Sequence, residues 1–241
     1  MKKLIVGFLL ALTPLFGMAA GGGVHLDDAD LDMGDQASLQ RGAKYFVNYC
    51  LSCHSAKFQR YNRTAKDLGL SEDEVKENLM FTTDKIGDTM NIAMDPQDAN
   101  TWFGVVPPDL SVTARSRGVD WIYTYLRSFY IDESRPFGVN NLVFPDVGMP
   151  NVMWKLQGTQ KAVFQEHDGQ KVFEKFEQVT PGTMSPAEFD VAMRDLTAFL
   201  SYVGEPIQME RKRLGVWVLL FIAVFFVLAY LLKKEYWEDV H

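Results

Sequence analysis

Cys50, Cys53 and His54 form a Cys-x-x-Cys-His motif, which constrains this chain more than any other feature. Cys-x-x-Cys-His is the attachment sequence of a c-type haem. The two thiols form thioether bonds with the haem vinyl groups, and the adjacent imidazole reaches the iron as proximal ligand. One helical turn places both sulfurs and the ring on the same side of the backbone. The motif therefore predicts one covalently bound haem c and one-electron chemistry.

Cys-x-x-Cys also occurs in zinc sites and in redox dithiols. The chain contains only two cysteines, so a four-thiolate zinc site is excluded. A site of two histidines and two cysteines would need a further histidine at a suitable distance, and His25, His167 and His241 are all far from the motif in the sequence. A redox dithiol usually follows a strand, whereas residues 38–49 predict a helix. These observations favour haem attachment.

Residues 1–20 predict a secretory signal peptide, because two lysines precede an apolar run over residues 4–16 and small residues follow it. We expect cleavage near Ala19 or Ala20. A first transmembrane helix is the weaker interpretation, since the run is short and contains Pro14. Export agrees with a haem c, which is attached on the outer side of the bacterial plasma membrane.

A second apolar segment, residues 214–232, contains 19 residues and no charge. As a helix it spans about 28 Å, which matches the hydrocarbon core of a bilayer. Basic residues flank it in nearly equal number, so its orientation follows from the export signal rather than from the positive-inside rule. We therefore expect a periplasmic haem domain over residues 21–209, a transmembrane anchor over 210–233 and a cytoplasmic tail over 234–241, in a bacterial inner membrane.

The net charge of −7 is unevenly distributed along the chain. Residues 20–209 contain 17 Lys and Arg against 27 Asp and Glu, a difference of −10. The exported domain is therefore acidic, which disfavours nucleic acid as a partner and would attract a basic protein electrostatically.

Caps and apolar spacing predict four helices in the exported domain. The first extends from about Gln36 into the haem motif, and another begins at Ser71, the N-cap of a capping box with a glutamate three residues on. Residues 119–130 place aromatic and aliphatic side chains on one face. The last helix has Ser185 as N-cap, then proline at N1 and glutamate at N3, and ends at Gly204.

The segments between these helices are less regular. Residues 84–108 and 131–150 have no clear period and predict long loops, which in compact domains are usually functional. Residues 162–173 predict a β-hairpin around Asp168-Gly169. The whole pattern predicts a small, mainly α-helical domain in which the first and last helices pack together and the loops hold the haem.

A sixth ligand decides whether the haem iron carries electrons or activates small molecules. His25 and His167 are candidates, but each lies in a polar stretch. Met149 stands out because Gly148 allows close approach and Pro150 stiffens the loop. The competing methionines are Met90, Met94 and Met153. A thioether ligand raises the reduction potential and fills the sixth position, which argues against peroxidase or oxygen chemistry.

Several further blocks make the chain resemble the cytochrome c1 family, the haem-c subunits of the cytochrome bc1 complex (quinol–cytochrome c reductase). They are Pro-Pro-Asp-Leu-Ser at 107–111 with Arg115 and Arg117 after it, Gly-Met-Pro at 148–150, Thr-Met-Ser at 183–185, and Glu-Pro at 205–206 with Arg-Lys-Arg at 211–213. With the haem motif, these blocks extend the resemblance over nearly the whole chain, in a form similar to the proteobacterial members.

The resemblance implies a mainly α fold: a cytochrome c-like haem domain with long loop insertions, a small β-hairpin and one C-terminal transmembrane helix. It implies that Cys50 and Cys53 hold the haem and that His54 and Met149 ligate the iron. It also implies that Pro108 lies near the haem and that Arg115 lies near a propionate, where a guanidinium can pair with a carboxylate. Some family members have further cysteines that could form a disulfide, and this chain has none to spare.

The resemblance also implies a function. The chain would accept one electron from the Rieske iron–sulfur subunit and pass it to a soluble cytochrome c, beside a cytochrome b subunit in a lipid bilayer and as part of a dimeric complex. It would not itself hold the quinol-oxidising site. The alternative is a membrane-anchored c-type cytochrome that feeds a terminal oxidase, which would share the motif, signal and anchor but not the Pro-Pro-Asp-Leu-Ser block. A dihaem peroxidase would need a second attachment motif, and a haem sensor would favour an open sixth site.

Overall fold

The computed structural model describes residues 24–167 and 170–238. The helices are α1 Gln36–Tyr45, α2 Tyr61–Asp67, α3 Glu72–Asn78, α4 Pro96–Phe103, α5 Thr113–Arg117, α6 Val119–Arg127, α7 Trp154–Gln157, α8 Pro186–Gly204 and α9 Gln208–Tyr236. The strands are β1 Ala56–Arg60, β2 Thr89–Met90, β3 Phe129–Ile131, β4 Val139–Asn141, β5 Gly158–His167 and β6 Gln170–Pro181. The predicted signal peptide lies outside the described residues.

Helix α1 leads directly into the haem motif, as the sequence predicts. Its N-cap is Asp35, whose carboxylate accepts a hydrogen bond from the Ser38 amide at 3.1 Å. The helix then continues as a π-helical turn over Phe46–Cys50, which widens the backbone up to the first cysteine of the motif. The motif is therefore built on a continuous helical support rather than on a free loop.

Helices α1 and α8 cross at very short range, which confirms the predicted packing of the first and last helices. Gly42 makes this possible, because a Cβ atom there would lie 2.1 Å from the carbonyl oxygen of Asp195 and 2.7 Å from Cβ of Phe199. Next to the crossing, the rings of Phe46 and Phe199 have centroids 5.5 Å apart. The pair forms the centre of the hydrophobic core.

The capping box predicted at Ser71 is present, and the predicted N-cap Ser185 forms a second one. The Ser71 hydroxyl accepts from the Glu74 amide at 3.2 Å, and the Ser71 amide donates back to the Glu74 carboxylate at 2.8 Å. Ser185 and Glu188 make the same exchange at the start of α8. Helix α8 then ends at Gly204, as predicted. These ends could be predicted because capping depends on residues close in sequence.

The loop prediction for residues 84–108 is wrong in part, because the segment contains β2 and α4. Local caps stabilise α4: the Asp95 carboxylate accepts from the Gln97 amide at 2.7 Å, Pro96 occupies the first turn, and Gly104 ends the helix at φ +71°. A helix of eight residues with a mixed composition has too few apolar positions to show a period, so only its caps could have revealed it.

Two smaller corrections concern the segment after α6. The helix predicted over residues 119–130 ends at Arg127, and Phe129 instead begins β3. The loop predicted over residues 131–150 contains β4, which pairs antiparallel with β3 so that Phe129 faces Asn141. This short two-stranded ribbon depends on cross-strand pairing, which a local sequence pattern does not predict.

The predicted hairpin is present and longer than expected. Strands β5 and β6 pair antiparallel from Gly158 opposite Pro181 to His167 opposite Gln170. Two irregularities in register interrupt the ladder. The predicted turn at Asp168-Gly169 lies outside the described residues.

Helix α9 contains 29 residues, and none of its side chains is buried. Within the described ranges it is the one helix long and apolar enough to cross a membrane, with a length of about 43 Å. A fully exposed apolar helix of this length needs a non-aqueous environment, so it serves as a single-pass anchor. The predicted fold class, a mainly α haem domain with small hairpins and one C-terminal transmembrane helix, is confirmed.

Candidate functional site

One cavity of about 690 Å³ brings most of the predicted site residues together. Its volume lies within the range typical of cofactor sites. The cavity lies between the end of α1, helices α6 and α8, and the two long loops that contain Pro108 and Met149. Its lining is mostly apolar and includes Cys50, Cys53, His54, Pro108 and Met149.

Both cysteines of the motif are free thiols that line this cavity. The turn that holds them closes through hydrogen bonds from the Cys53 and His54 amides to the Cys50 carbonyl, at 3.0 and 2.8 Å. Burial raises the pKa of the Cys50 thiol to about 12. A thiol that stays protonated is a poor nucleophile, so this environment is poorly suited to dithiol exchange.

The His54 imidazole is held in one tautomer by the loop opposite. Its Nδ1 lies 2.7 Å from the carbonyl oxygen of Pro108, and because a carbonyl can only accept, Nδ1 carries the proton. Burial lowers the pKa of His54, which favours the neutral ring. Nε2 therefore keeps its lone pair, which is the state a metal requires, and a second-sphere carbonyl of this kind is usual for metal-ligating histidines. Pro108 thus acts through its carbonyl as well as lining the cavity.

Met149 is the one of the four candidate methionines that lines the cavity. Its loop packs closely there, since a Cβ atom at Gly148 would lie 2.9 Å from Cγ1 of Val105. The Tyr125 hydroxyl donates to the Met149 sulfur at 3.2 Å. Met90 and Met153 are buried elsewhere in the core. Of the candidate histidines, His25 lines a separate cavity, and the His167 side chain lies outside the described part of the chain.

The structure does not bring Arg115 into the cavity. Its guanidinium instead pairs with the Glu205 carboxylate at 2.8 Å, and Arg211 pairs with the same carboxylate. The Glu-Pro and Arg-Lys-Arg blocks therefore meet Arg115 where the anchor begins.

Two other guanidinium groups line the cavity, Arg117 and Arg135. Arg117 lies over the Trp121 ring at 5.2 Å, and Arg135 pairs with Asp146 at 2.8 Å. The Arg135 Nε is buried without a hydrogen-bond partner among the described residues. From the sequence, Arg117 was named only as part of a family block, and Arg135 was given no role. Arg115 and Arg117 are two positions apart on a one-turn helix and therefore point in different directions, which was the available signal.

These residues fit a covalent haem c. Two free thiols, a neutral imidazole and a thioether share one apolar cavity, so the attachment points and both kinds of axial ligand are present. The haem carboxylates need cationic or donor partners, and the cavity supplies two guanidinium groups, one with an unpartnered buried N–H.

Known proteins match this chain over nearly its whole length. The model of the cytochrome c1 family matches residues 28–240. The chain belongs to the cytochrome c1 family. It is 54% identical to cytochrome c1 of Allochromatium vinosum over the full length of both chains. It is also 50% identical to a Nitrosomonas europaea protein named ammonia monooxygenase gamma subunit, over all of this chain and 98% of that one.

A more distant member shows the breadth of the family. Cytochrome c1 of Rhodospirillum rubrum is 28% identical over 86% of this chain and 83% of its own. Membership establishes a covalent haem c, a role in electron transport and a place in the cytochrome bc1 complex, whose other subunits include cytochrome b and the Rieske protein. The resemblance drawn from the sequence blocks is thereby confirmed.

Proposed function

We propose that this chain accepts one electron from the Rieske iron–sulfur subunit and passes it to a soluble cytochrome c. The observation that carries the proposal is the joint placement of His54 and Met149 on the cavity that the two thiols line. An imidazole and a thioether together fill both axial positions, which favours outer-sphere electron transfer over substrate binding at the iron.

Each residue of the site has a distinct task in this proposal. Cys50 and Cys53 would hold the haem through two thioether bonds, and His54 would supply Nε2, held by the carbonyl of Pro108. Met149 would supply its sulfur to the iron. When bound, haem c provides a one-electron couple. The apolar lining excludes water and so disfavours the ferric charge, which adds to the effect of the thioether on the potential.

The propionates are assigned to Arg117 and Arg135 rather than to Arg115. Both line the cavity, whereas Arg115 forms an ion pair with Glu205. The unpartnered Nε of Arg135 supports this assignment, because a buried donor without an acceptor is costly and a carboxylate would satisfy it.

The topology of the chain forms part of the same proposal. Residues 1–20 direct export and are removed, residues 21–209 form the periplasmic haem domain, residues 210–233 cross the inner membrane, and residues 234–241 lie in the cytoplasm. Supporting this, α9 is fully exposed and apolar. The anchor packs beside cytochrome b in a dimeric complex. None of its side chains is buried against its own domain, so they are available to pack against helices of another subunit in the membrane.

Purification in mild detergent tests this assignment. We expect the chain, purified by a C-terminal tag and then by size-exclusion chromatography, to copurify with a haem-b subunit and an iron–sulfur subunit. The three subunits should be present in nearly equal amounts. A chain with the anchor helix intact that elutes with terminal-oxidase subunits, and without the other two, would instead support the oxidase-feeding alternative.

Association with the soluble cytochrome c should weaken as salt is added. The excess of ten acidic residues between 20 and 209 attracts a basic partner, and exposed charges are screened beyond about 10 Å at 0.1 M salt. The second-order rate of haem oxidation by a basic cytochrome c is expected to fall steeply between low and physiological ionic strength. A rate that does not change with ionic strength would contradict a role of the acidic surface in docking the soluble cytochrome c.

A further inference from the structure

The Tyr125 hydroxyl donates a hydrogen bond to the sulfur of Met149, at 3.2 Å. The two residues come from different elements, helix α6 and the loop after β4. A thioether sulfur is a weak acceptor with two lone pairs. One lone pair can receive this hydrogen bond while the other is left for a metal.

Packing, rather than the sulfur, sets the position of the Tyr125 ring. Trp121 stacks on it with centroids 4.9 Å apart and planes inclined by 9°. Phe129 meets its edge at 5.2 Å and 70°. Trp121 lies one helical turn before Tyr125 and Phe129 begins β3, so the ring is held in place by its own helix and the start of that strand.

The loop that presents Met149 is tied to the same tyrosine. The Asn141 side-chain amide donates to the carbonyl of Tyr125 at 2.8 Å. Its carbonyl oxygen accepts from the amides of Val143 and Phe144, at 2.9 and 3.1 Å. Asn141 is itself fully buried. The start of this loop is therefore fixed to the backbone of Tyr125, and the sulfur meets the hydroxyl of that same residue.

The hydroxyl is present in its donating form, because a phenol is neutral at physiological pH. A neutral phenol lining an apolar cavity needs an acceptor, and the Met149 sulfur is the one it contacts. The contact is thus a stable feature of the folded chain.

We propose that Tyr125 is a positioning residue that orients the Met149 sulfur toward the iron and raises the reduction potential of the haem through this hydrogen bond. The inference rests on the proposed role of Met149 as axial ligand. A hydrogen bond withdraws electron density from the sulfur and makes it a weaker donor. Ferric iron loses more stabilisation than ferrous iron when its ligand donates less, so reduction becomes more favourable.

Substitution Tyr125→Phe tests the proposal, because it removes the hydroxyl and keeps the ring. The hydrogen bond is present in both oxidation states, so only the difference in its strength between them shifts the couple; the equilibrium should move toward oxidised haem by up to about tenfold. For a one-electron couple this is a fall of up to about 60 mV. The measurement is a redox titration of the haem-loaded full chain in its complex, with the optical signature of thioether ligation recorded in parallel.

Tyr123→Phe is the matched control. Tyr123 lies on the same helix and is buried, and its hydroxyl makes no hydrogen bond to Met149 in the described structure. Its removal should leave the potential unchanged. A fluorinated tyrosine at position 125 provides a second test of opposite sign, since a more acidic hydroxyl is a stronger donor and should raise the potential.

Three results are informative. A lower potential in Tyr125→Phe and a higher one with fluorotyrosine, with the thioether signature retained in both, support the proposal. An unchanged potential with that signature retained overturns it and leaves Met149 as ligand. Absence of the thioether signature from the unmodified chain overturns the ligand assignment, and this inference with it.

Discussion

Replacing Met149 by leucine lowers the reduction potential of the haem by an expected amount on the order of hundreds of millivolts. Leucine keeps the volume and apolar character of the side chain but has no donor atom. The loss of a soft thioether removes the ligand that favours ferrous iron, and axial ligands set haem potentials over a range of about 0.8 V. The same change opens the sixth position, so the variant should bind carbon monoxide in its reduced form.

Met153→Leu is the control for this substitution. Met153 lies four residues further on, is 1% exposed, and does not line the cavity. The same loss of sulfur there should leave both the potential and the optical signature of thioether ligation unchanged. If Met149→Leu kept the potential and the signature of the unmodified protein, Met149 would not be the ligand.

The second large effect is expected from Arg41→Met, which acts on the support of the haem motif. The Arg41 guanidinium binds both oxygens of the Asp195 carboxylate, at 2.6 and 3.0 Å, and so ties α1 to α8. Ser38 donates to the same carboxylate at 2.6 Å. The Asp195 side chain is only 4% exposed. Removal of its cation leaves a buried charge with a single hydroxyl partner.

We expect this change to lower the free energy of unfolding by roughly 2–3 kcal/mol. The full cost of breaking a buried pair is about 3–5 kcal/mol, and it is reduced here because solvent reaches the exposed half of Arg41 and can partly replace it. Urea unfolding of the haem-loaded chain in detergent measures the effect. Arg63→Met, which breaks an exposed i,i+4 pair with Asp67, should cost less than about 1 kcal/mol. Equal losses in the two variants would contradict the account of the α1–α8 contact.

The elements that sequence reasoning located are those fixed by local chemistry. Ser71 and Ser185 begin their helices through hydrogen bonds to residues three positions away. The apolar spacing of α8 reflects a single buried face. Helix α4 was missed because its mixed composition shows no apolar period, and strand β4 because it depends on cross-strand pairing.

The same distinction, between features fixed by residues close in sequence and features that depend on the fold, applies to the site. Cys50, Cys53 and His54 are contiguous, and Met149 has a distinctive loop setting, so the sequence could nominate all four. The hydrogen bond from Tyr125 to Met149 joins residues 24 positions apart and depends on how α6 faces its loop. From the sequence, Arg115 rather than Arg117 was expected near a propionate, because only the fold reveals that Arg115 pairs with Glu205.

The most direct test of the central claim follows the electron itself. Quinol is mixed rapidly with membranes that contain the complex, and reduction of haem c is recorded with and without the iron–sulfur subunit. Haem c should be reduced by quinol in the intact complex, and this reduction should be lost when the iron–sulfur subunit is absent and return when it is restored. Reduction at an unchanged rate without that subunit would contradict the account.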